Sequence, residues 1–521
     1  MKLAEHSRSS VEGVRLVAGR LSTCAVLTFF STACLVTLLH QASLLFQFPE
    51  IGLGDSYVLY DVLHFQRTGE IYRDLSQPPY LPAQYSPLVY IVFSVPGRVA
   101  TFPNPFLGSR LVVLIAFLLC IAVAASITRC LVPARSAWWW AALIGGSVGV
   151  MRDWVLQLRG DFFGIFFGLV AIRLLFIDSR RAAFFAGLCA GFATQFKITY
   201  IAALTAGVLW LLFMRQWRKF SVFTAAAAVS SAGLYVLYWT REHRMLSQML
   251  ALSPGIADLH GAVRELEQIL LEPLVLLAPL AVSDVPWRLS ARSKLLLLFG
   301  LVSLSVAAVT ELQVGGNVNY FYEALFAMIP AAVIGVRRLS VWAHDSAGAG
   351  LFVMTLFGLF LLPPAVGSLH LNLDYTIGPG GVVVRNREFH EIADVLSSRH
   401  LFSTVPRIAL LDTAPALMEP FLLTYWQRMG KFDSKPILDR IRREEFDVLV
   451  TASTAVVYRG IPHVGPNLRK VISDSYIPFC VRSEYLVHLP RNRSESALEQ
   501  QLRQVDCEPV ACDMRATCPK W

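Results

Sequence analysis

The chain has 521 residues, of which 55% are hydrophobic and only 16% are charged. Soluble domains usually carry about 25% charged residues. Long apolar runs follow one another along the sequence, so the composition excludes a set of soluble domains. The formal net charge is +9, an excess that fits basic loops facing anionic lipid, and nothing in the sequence calls for a nucleic-acid partner.

Apolar runs of spanning length predict an all-α polytopic membrane domain over residues 23–365. A bilayer core about 30 Å thick needs about 20 mostly apolar residues in a helix, with about 17 as the lower limit. About eleven transmembrane helices are predicted near 23–45, 109–128, 136–151, 161–177, 182–196, 198–214, 220–239, 265–283, 294–310, 322–336 and 347–365. The pair 182–214 also fits one long tilted helix, because it contains no polar loop.

Basic residues concentrate on cytoplasmic loops and therefore predict the orientation of the chain. The N-terminal segment 1–22 and the later basic connections fall on one side if the segment 85–100 does not cross the membrane. Because Pro87, Pro96 and Arg98 interrupt that segment, we interpret it as a re-entrant or juxtamembrane helix. If this segment crossed the membrane, every later loop would lie on the opposite side. The predicted protein lies in a bacterial-type inner (plasma) membrane, with a cytoplasmic N-terminus and an extracytoplasmic first loop.

The segment 366–521 predicts a small extracytoplasmic α/β domain, which we call the tail domain. Short apolar runs at 407–411 and 446–450 have the length and the polar flanks of buried strands. Between them, residues 434–444 have the apolar spacing of a helix. A soluble domain therefore follows the last predicted span.

The tail domain also contains four cysteines. An oxidising compartment outside the membrane favours two disulfides, with three alternative pairings among four residues. A zinc site is the alternative, although no histidine pair and no paired CxxC accompanies these cysteines. The disulfide candidates are Cys480, Cys507, Cys512 and Cys518.

The first external loop, 47–84, places a carboxylate just beyond the first span. Its segment 52–61 reads GLGDSYVLYD, so Asp55 is expected at the membrane surface, close to a lipid headgroup. A carboxylate there can act as a general base on an acceptor hydroxyl, and partial loss of solvent would raise its pKa into a useful range. A helix N-cap is the structural alternative, because Asp before a helical run suits that position.

Two later segments and one lysine add polar groups on the same predicted face. Residues 152–161 read RDWVLQLRGD, and arginine can hold a phosphate in a bidentate fashion. Residues 315–323 read GGNVNYFYE, with polar groups suited to a sugar. Lys197 ends a span, where a cation must meet a phosphate, a carboxylate or the surface. Interfacial anchoring, a loop-to-helix junction and snorkelling are the structural alternatives.

The first loop continues with a G-x-x-Y stretch at 69–72 and with YLPAQYSPLVY at 80–90. An Asp after the first span, followed by these motifs, resembles the first external loop of GT-C glycosyltransferases. That superfamily includes protein O-mannosyltransferases, aminoarabinose transferases of lipid A and polyprenyl-phosphomannose-dependent mannosyltransferases. The motifs at 152–161 and 315–323 follow in the same order along the chain as in that superfamily. One departure is Ser56, where several mannosyltransferase branches have a second acidic residue, so the sugar stays open.

The resemblance implies an inverting glycosyltransferase that uses a polyprenyl-phosphate-linked sugar, with Asp55 as the catalytic base. The acceptor would be a glycan, a lipid or a protein. The remaining predicted site residues are Arg152, Arg159 and Lys197 for the donor phosphate, and Asp61, Tyr85, Asp153, Asp161, Asn319, Tyr320 and Glu323 for the substrates. The sequence identifies no definite cofactor, and a divalent metal stays open, although no cluster of carboxylates demands one.

Two other classes of protein share a polytopic layout. A transporter or lipid-linked-sugar flippase would favour inverted repeats and charges at the membrane midplane, and the sequence has no evident internal repeat. A non-catalytic envelope assembly protein would use the tail domain to bind a partner. Replacing Asp55 discriminates between these classes, because only an enzyme loses turnover while it still folds.

Overall fold

The computed structural model describes residues 2–47, 51–52, 54–102, 104–152, 154–249, 258–281, 289–313, 316–363, 365–367, 382–397, 399–409, 416–453, 457–458, 461–462, 464–482, 485–492 and 496–510. The helices before the tail domain are α1 (Lys2–Leu45), α2 (Asp55–Thr68), α3 (Pro87–Val99), α4 (Leu107–Leu131), α5 (Ala137–Gly146), α6 (Asp161–Leu175), α7 (Arg180–Phe196), α8 (Ala202–Phe213), α9 (Trp217–Arg241), α10 (Met245–Met249), α11 (Leu259–Leu270), α12 (Pro273–Leu277), α13 (Ala291–Glu311), α14 (Tyr322–Asp345) and α15 (Ala347–Met354). Short 3-10 turns lie at Gly149–Met151, Ala278–Ala281 and Val318–Phe321, and a π-helical segment at Thr355–Leu361 continues α15.

The predicted polytopic helical domain is confirmed, although the number of spans stays a prediction. By length and composition, the described residues contain five helices able to cross a membrane: Leu16–Leu45, Leu107–Leu131, Trp217–Arg241, Ala291–Glu311 and Val318–Asp345. Other predicted spans correspond to shorter helices. Residues 182–214 form two of these, α7 and α8, so one long tilted helix is wrong. Large apolar side chains such as Leu118 and Leu301 are exposed on the long helices, as expected of surfaces that face lipid.

The predicted continuous span at 265–283 is also wrong. This region instead contains the end of α11, the five-residue helix α12 and a 3-10 turn. Proline has no backbone N–H and its ring clashes with the preceding turn of a helix. Pro273 therefore begins a new helix at its first position instead of continuing α11.

Small residues bring α7 and α9 close together, and this contact positions the end of α7. A Cβ atom added at Gly187 would overlap the backbone carbonyl of Phe223, and one at Gly191 would overlap Ser230 Oγ. Membrane helices often pack through such small residues, because their backbones can then approach closely. Lys197 follows directly after α7, so the position of its backbone depends on this packing.

The tail domain begins with α16 (Val382–Leu396) and contains a six-stranded mixed sheet. Its strands are β1 (Leu401–Ser403), β2 (Ala416–Leu417), β3 (Val448–Ala452), β6 (Tyr476–Arg482), β7 (Tyr485–Pro490) and β8 (Glu508–Pro509), while β4 (Val457–Tyr458) and β5 (Ile461–Pro462) pair separately. The sheet order is β2-β1-β3-β7-β6-β8. Strand β1 is parallel to β2 and β3, and the other pairs are antiparallel.

The helices of the tail domain after β1 are α17 (Pro406–Ala409), α18 (Pro420–Arg428), α19 (Lys435–Arg442), α20 (Pro466–Ser475) and α21 (Ser496–Gln504). The helix predicted at 434–444 corresponds to α19, and the strand predicted at 446–450 to β3. The strand predicted at 407–411 is wrong in its described part, because residues 407–409 are helical. Pro406 is pre-organised for the first position of a helix, and the strand β1 ends before it.

The loop 47–84 joins the membrane domain to the tail domain. Tyr57 on α2 donates a hydrogen bond from its hydroxyl to the carbonyl of Thr404, at 3.3 Å. Tyr80 forms a β-bridge with Met418 and accepts from the backbone N–H of Glu419 at 3.1 Å. Its side chain is buried in the same apolar core of the tail domain as Trp426. The loop that carries Asp55 therefore contacts the tail domain at two points, Tyr57 and Tyr80.

A disulfide joins Cys480 on β6 to Cys507, directly before β8, with 5.5 Å between their Cα atoms. Cys512 and Cys518 lie outside the described residues, so their predicted pairing stays a prediction. The five other cysteines are free and lie at or near membrane helices.

Removing this disulfide should destabilise the tail domain. The bond closes a loop of 27 residues, and for loops of this order the chain-entropy estimate is about 3–4 kcal/mol. We expect a double Cys480→Ala and Cys507→Ala variant to unfold at a lower temperature in thermal melts. A matched Cys24→Ala and Cys130→Ala variant should melt like the wild type. Equal melting of both variants would show that the bond contributes little to stability.

Candidate active site

Asp55 is the first residue of α2 and is almost completely buried, with 1% of its surface exposed. Its Oδ2 atom accepts hydrogen bonds from the backbone N–H groups of Ile51 and Gly52, each at 3.2 Å. Its Oδ1 atom accepts from the N–H of Leu158 at 2.9 Å. The N-cap position belongs to Gly54, so the carboxylate does not serve as the cap of its own helix. It instead joins the first loop to the segment 152–161.

Burial raises the pKa of Asp55, because it disfavours the charged carboxylate. The charges of Arg110 and Arg159 and the hydrogen bonds from the backbone of Gly52 and Leu158 oppose this shift. A carboxyl group with a raised pKa is a stronger base than an ordinary aspartate. A buried carboxyl group beside two arginines is therefore a candidate general base.

Asp161 opens α6 and accepts three hydrogen bonds from separate parts of the chain. Its Oδ1 atom accepts from Lys197 Nζ at 3.1 Å, from the hydroxyl of Tyr200 at 2.5 Å and from Asn319 Nδ2 at 3.0 Å. The side chain of Asp161 is only 4% exposed. The start of α6, the end of α7 and the loop before α14 therefore meet at this carboxylate.

Two cations lie beside these carboxylates. Lys197 Nζ lies 3.9 Å from the ring centroid of Tyr320, and the guanidinium of Arg159 stacks on Trp154 at 4.5 Å. Both cations act electrostatically on Asp161 and on Tyr85, and Arg159 also acts on Asp55. Lys197 keeps 16% of its side chain exposed. Arg159 and Lys197 are therefore positioned to bind an anion next to both acidic side chains.

Arg152 lies in a different environment from the two other predicted phosphate ligands. Its backbone carbonyl accepts from Gln41 Nε2 at 2.5 Å, and its charge acts on Glu272. Glu272 in turn accepts hydrogen bonds from the backbone N–H groups of Gly149 and Val150. This arrangement supports a structural role in holding the segment after α5.

Asp61 pairs with Arg73 inside the protein instead of facing the polar site. Arg73 Nη2 donates to Asp61 Oδ1 at 2.5 Å, and the two side chains are 6% and 3% exposed. Burial raises the pKa of Asp61 to about 7 against the lowering effect of Arg73. The pair holds the far half of the first loop against α2.

Replacing Asp61 should therefore affect stability more than chemistry. Removing one partner of a buried ion pair leaves the other charge uncompensated and costs about 3–5 kcal/mol. We expect Asp61→Asn to lower the thermal midpoint of unfolding clearly while the folded fraction keeps transfer activity. An active variant with unchanged stability, or a stable variant without activity, would contradict this assignment.

The 3-10 turn before α14 and the first turn of α14 supply one more predicted residue each, Asn319 and Glu323. Asn319 donates to Asp161, while its Oδ1 atom has no hydrogen-bond partner among the described residues. Glu323 Oε2 accepts from Ser303 Oγ at 3.1 Å, and Glu323 Oε1 has no partner within the same ranges. A Cβ atom at Gly168 would come within 2.9 Å of Glu323 Oε1, so the absence of a side chain there leaves room for the carboxylate.

Asp153 and Gly315 lie outside the described residues. Within the described ranges, no group of three or more His, Cys, Asp or Glu side chains is arranged to hold a metal ion. Among the described residues, the site combines the carboxylates of Asp55 and Asp161 with the cations Arg159 and Lys197, several tyrosines and the amide of Asn319.

Comparison with known proteins gives a match at the level of structure. No family model and no curated protein matches the chain. A crystal structure of the Archaeoglobus fulgidus oligosaccharyltransferase, tethered through a disulfide bond to an acceptor peptide containing the NVT sequon, is similar with a TM-score of 0.50. The identity is 12%, over 89% of this chain and 74% of that chain. This chain has the GT-C fold. A structure of the same archaeal protein with Zn and sulfate has a TM-score of 0.44, 12% identity and the same shares.

The GT-C fold brings together residues that the sequence analysis did not select. Tyr200 binds Asp161, and Trp154 stacks on Arg159. Arg110 on α4 is fully buried, donates from Nη1 to the carbonyls of Leu44 and Gln47, and lowers the pKa of Asp55. A charge inside a predicted span is costly, and this signal could have identified Arg110. Tyr200 and Trp154 carry no comparable signal.

Proposed function

We propose that this chain is an integral membrane glycosyltransferase that moves a sugar from a polyprenyl-phosphate donor to an extracytoplasmic acceptor hydroxyl. The observation that carries the proposal is the convergence of Asp55, Asp161, Arg159 and Lys197 in one buried site. The GT-C fold supports the class, and the cations beside two carboxylates support a phosphate-bearing donor.

In the proposed reaction, Arg159 and Lys197 hold the phosphate of the donor. Asp55 accepts the proton of the acceptor hydroxyl while that oxygen bonds to the anomeric carbon. The bond from this carbon to the phosphate oxygen breaks on the opposite face, so the product is inverted and polyprenyl phosphate leaves with the electron pair. The lipid phosphate is a good leaving group, and positioning and electrostatic stabilisation supply most of the rate.

Asp161 serves mainly as a positioning residue in this proposal. It orients Lys197, Tyr200 and Asn319 through three hydrogen bonds. An anion bound by Lys197 would share that cation with Asp161, so the lysine would be held ready for the donor. Tyr85 and Tyr320 line the same region and are candidates for contacts with the sugar.

The proposed orientation places the N-terminus in the cytoplasm and the active site on the outer face of an inner (plasma) membrane. Nucleotide sugars are cytoplasmic, so a lipid-linked donor fits this side of the membrane. Reporter fusions at the N-terminus and after the tail domain test this orientation, because the two ends should report opposite compartments.

The function is tested by transfer of radiolabelled sugar from defined polyprenyl-phosphate donors in membranes that contain the wild-type protein. We expect transfer that depends on one donor and is absent from membranes without the protein. Movement of the labelled donor across the membrane without transfer would contradict the proposal and favour a flippase.

A further inference from the structure

A cavity lies where the first external loop, α10 and the tail domain meet. Its volume is about 600 Å³, and its lining includes Arg73, Leu75, Arg244, Leu246, Trp426 and Lys431. These residues come from three separate parts of the chain. Cavities of this size that combine apolar walls with a few polar groups are typical of sites for small ligands.

Two buried side chains in this lining offer hydrogen-bond donors without partners among the described residues. Arg73 uses Nη2 for Asp61, while its Nε and Nη1 atoms have none. Trp426 is 4% exposed, and its indole Nε1 also has none. Leaving buried donors unsatisfied costs free energy, and a ligand that brings acceptor oxygens would satisfy them. By contrast, Gln248 is occupied, since it donates to the carbonyl of Arg73 and accepts from the N–H of Ala83.

The charges around the cavity favour an anion. Arg73, Arg244 and Lys431 contribute three cations to the lining. Asp61 pairs with Arg73, and Asp74 pairs with Arg244 at 2.9 Å, so the positive charge of Lys431 remains in excess. A cationic donor forms a stronger hydrogen bond with a carboxylate than with a neutral acceptor.

The apolar part of the lining favours a ring with both apolar and polar edges. Leu75, Leu246 and the indole of Trp426 form an apolar surface next to the cations. An aromatic ring with an N–H at its edge suits a ligand that has a flat apolar face and polar substituents. A sugar ring that carries a carboxylate meets both requirements.

The cavity is separated from Asp55 by part of α2. Asp61 follows Asp55 by six residues, or about 9 Å of helix rise, and Arg73 lies beyond Asp61. The hydroxyl that reacts at Asp55 therefore cannot occupy this cavity. A remote part of an extended acceptor can reach it.

We propose that this cavity binds an acidic sugar residue of the acceptor, so that the acceptor is an anionic oligosaccharide. The proposal rests on the proposed glycosyltransferase function. In it, Arg73 and Lys431 donate to the carboxylate, Trp426 Nε1 donates to a ring oxygen, and Leu75 and Leu246 contact the apolar face of the sugar. Such contacts select the acceptor at a distance from the chemistry.

The test is calorimetric titration of the purified full-length protein in detergent with trigalacturonic acid, and with maltotriose as the neutral comparison. We expect salt-sensitive binding of the acidic trisaccharide alone. Lys431→Gln and Trp426→Phe should each weaken this binding about tenfold or more, or at least about 1.4 kcal/mol. Lys470→Gln, which removes an exposed charge from α20 away from the cavity lining, is the matched control and should bind like the wild type. Unchanged thermal melting of each variant excludes misfolding.

Equal binding of both sugars, no binding of either, or binding that survives both cavity substitutions would overturn the proposal. Displacement of the trisaccharide by equimolar lysophosphatidylglycerol would also overturn it, because the site would then take a lipid headgroup. The titration contains no donor, so its result is independent of the transfer assay. A protein that binds the acidic sugar but transfers nothing would refute the proposed enzyme function and leave the cavity as a sugar-binding site.

Discussion

Asp55→Asn should lower sugar transfer by about 10²–10⁴-fold, because general base catalysis typically contributes this much. The amide nearly matches the shape of the carboxylate but cannot take a proton. It also places an NH₂ group where Asp55 now accepts from backbone N–H groups, so stability should fall modestly. The measurement is transfer of radiolabelled sugar at equal amounts of folded protein.

The pH dependence of transfer provides a second readout for the same residue. Asp55 acts as a base only when it is ionised, and burial raises its pKa. The acid limb of the kcat/KM profile should therefore lie above the usual aspartate pKa of about 4, with activity lost as the pH falls through it. Glu70→Gln, which changes an exposed acid of the same loop, should preserve both rate and profile. Full activity of Asp55→Asn would move the base to another carboxylate, and Asp161 would be next.

Lys197→Gln should lower kcat/KM for the polyprenyl-phosphate donor by about 10- to 150-fold. A hydrogen bond to a charged group contributes about 1.5–3 kcal/mol, and Lys197 is the partly exposed cation beside Asp161. Lys197→Arg should recover part of the loss, because it restores the charge. Arg159→Gln should have an effect of similar size. Initial rates at varied donor concentration measure these changes.

Arg152→Gln is the matched control for these cationic residues. All three were equivalent candidates in the sequence, but Arg152 faces Glu272, whereas Arg159 and Lys197 act on Asp161. We expect Arg152→Gln to change kcat/KM for the donor by less than about threefold, well under the effect of one charged hydrogen bond. A loss as large as that of Lys197→Gln would place the phosphate nearer to α5 and contradict the proposed donor site.

The sequence alone was sufficient for the class of protein and for most of the helices. Apolar runs report burial in lipid directly, because each residue contributes to the transfer free energy independently of its tertiary contacts. The runs at 109–128, 220–239 and 294–310 therefore predict α4, α9 and α13 well. Order along the chain was also enough to place Asp55 in the loop that follows the first span.

Secondary structure predicted from apolar runs was wrong at two places where a proline changes the local backbone. The apolar stretch 407–411 has the composition of a strand, but Pro406 favours a helical start. The stretch 265–283 is apolar enough for a span, yet Pro273 interrupts its backbone hydrogen bonds. These errors concern the type of one short element and the continuity of another, and they leave the fold class unchanged.

Pairing between distant side chains was decided only by the tertiary structure. In the sequence, seven polar residues were equivalent candidates for substrate ligands. In the structure, Asp61 forms an ion pair with Arg73, whereas Asp161 accepts hydrogen bonds from Lys197, Tyr200 and Asn319. Composition and spacing determined that this chain is a helical membrane protein with an acidic first loop. Packing of α2, α4, α6 and α7 determined which charges meet, because a buried charge is stable only where the fold supplies its partner.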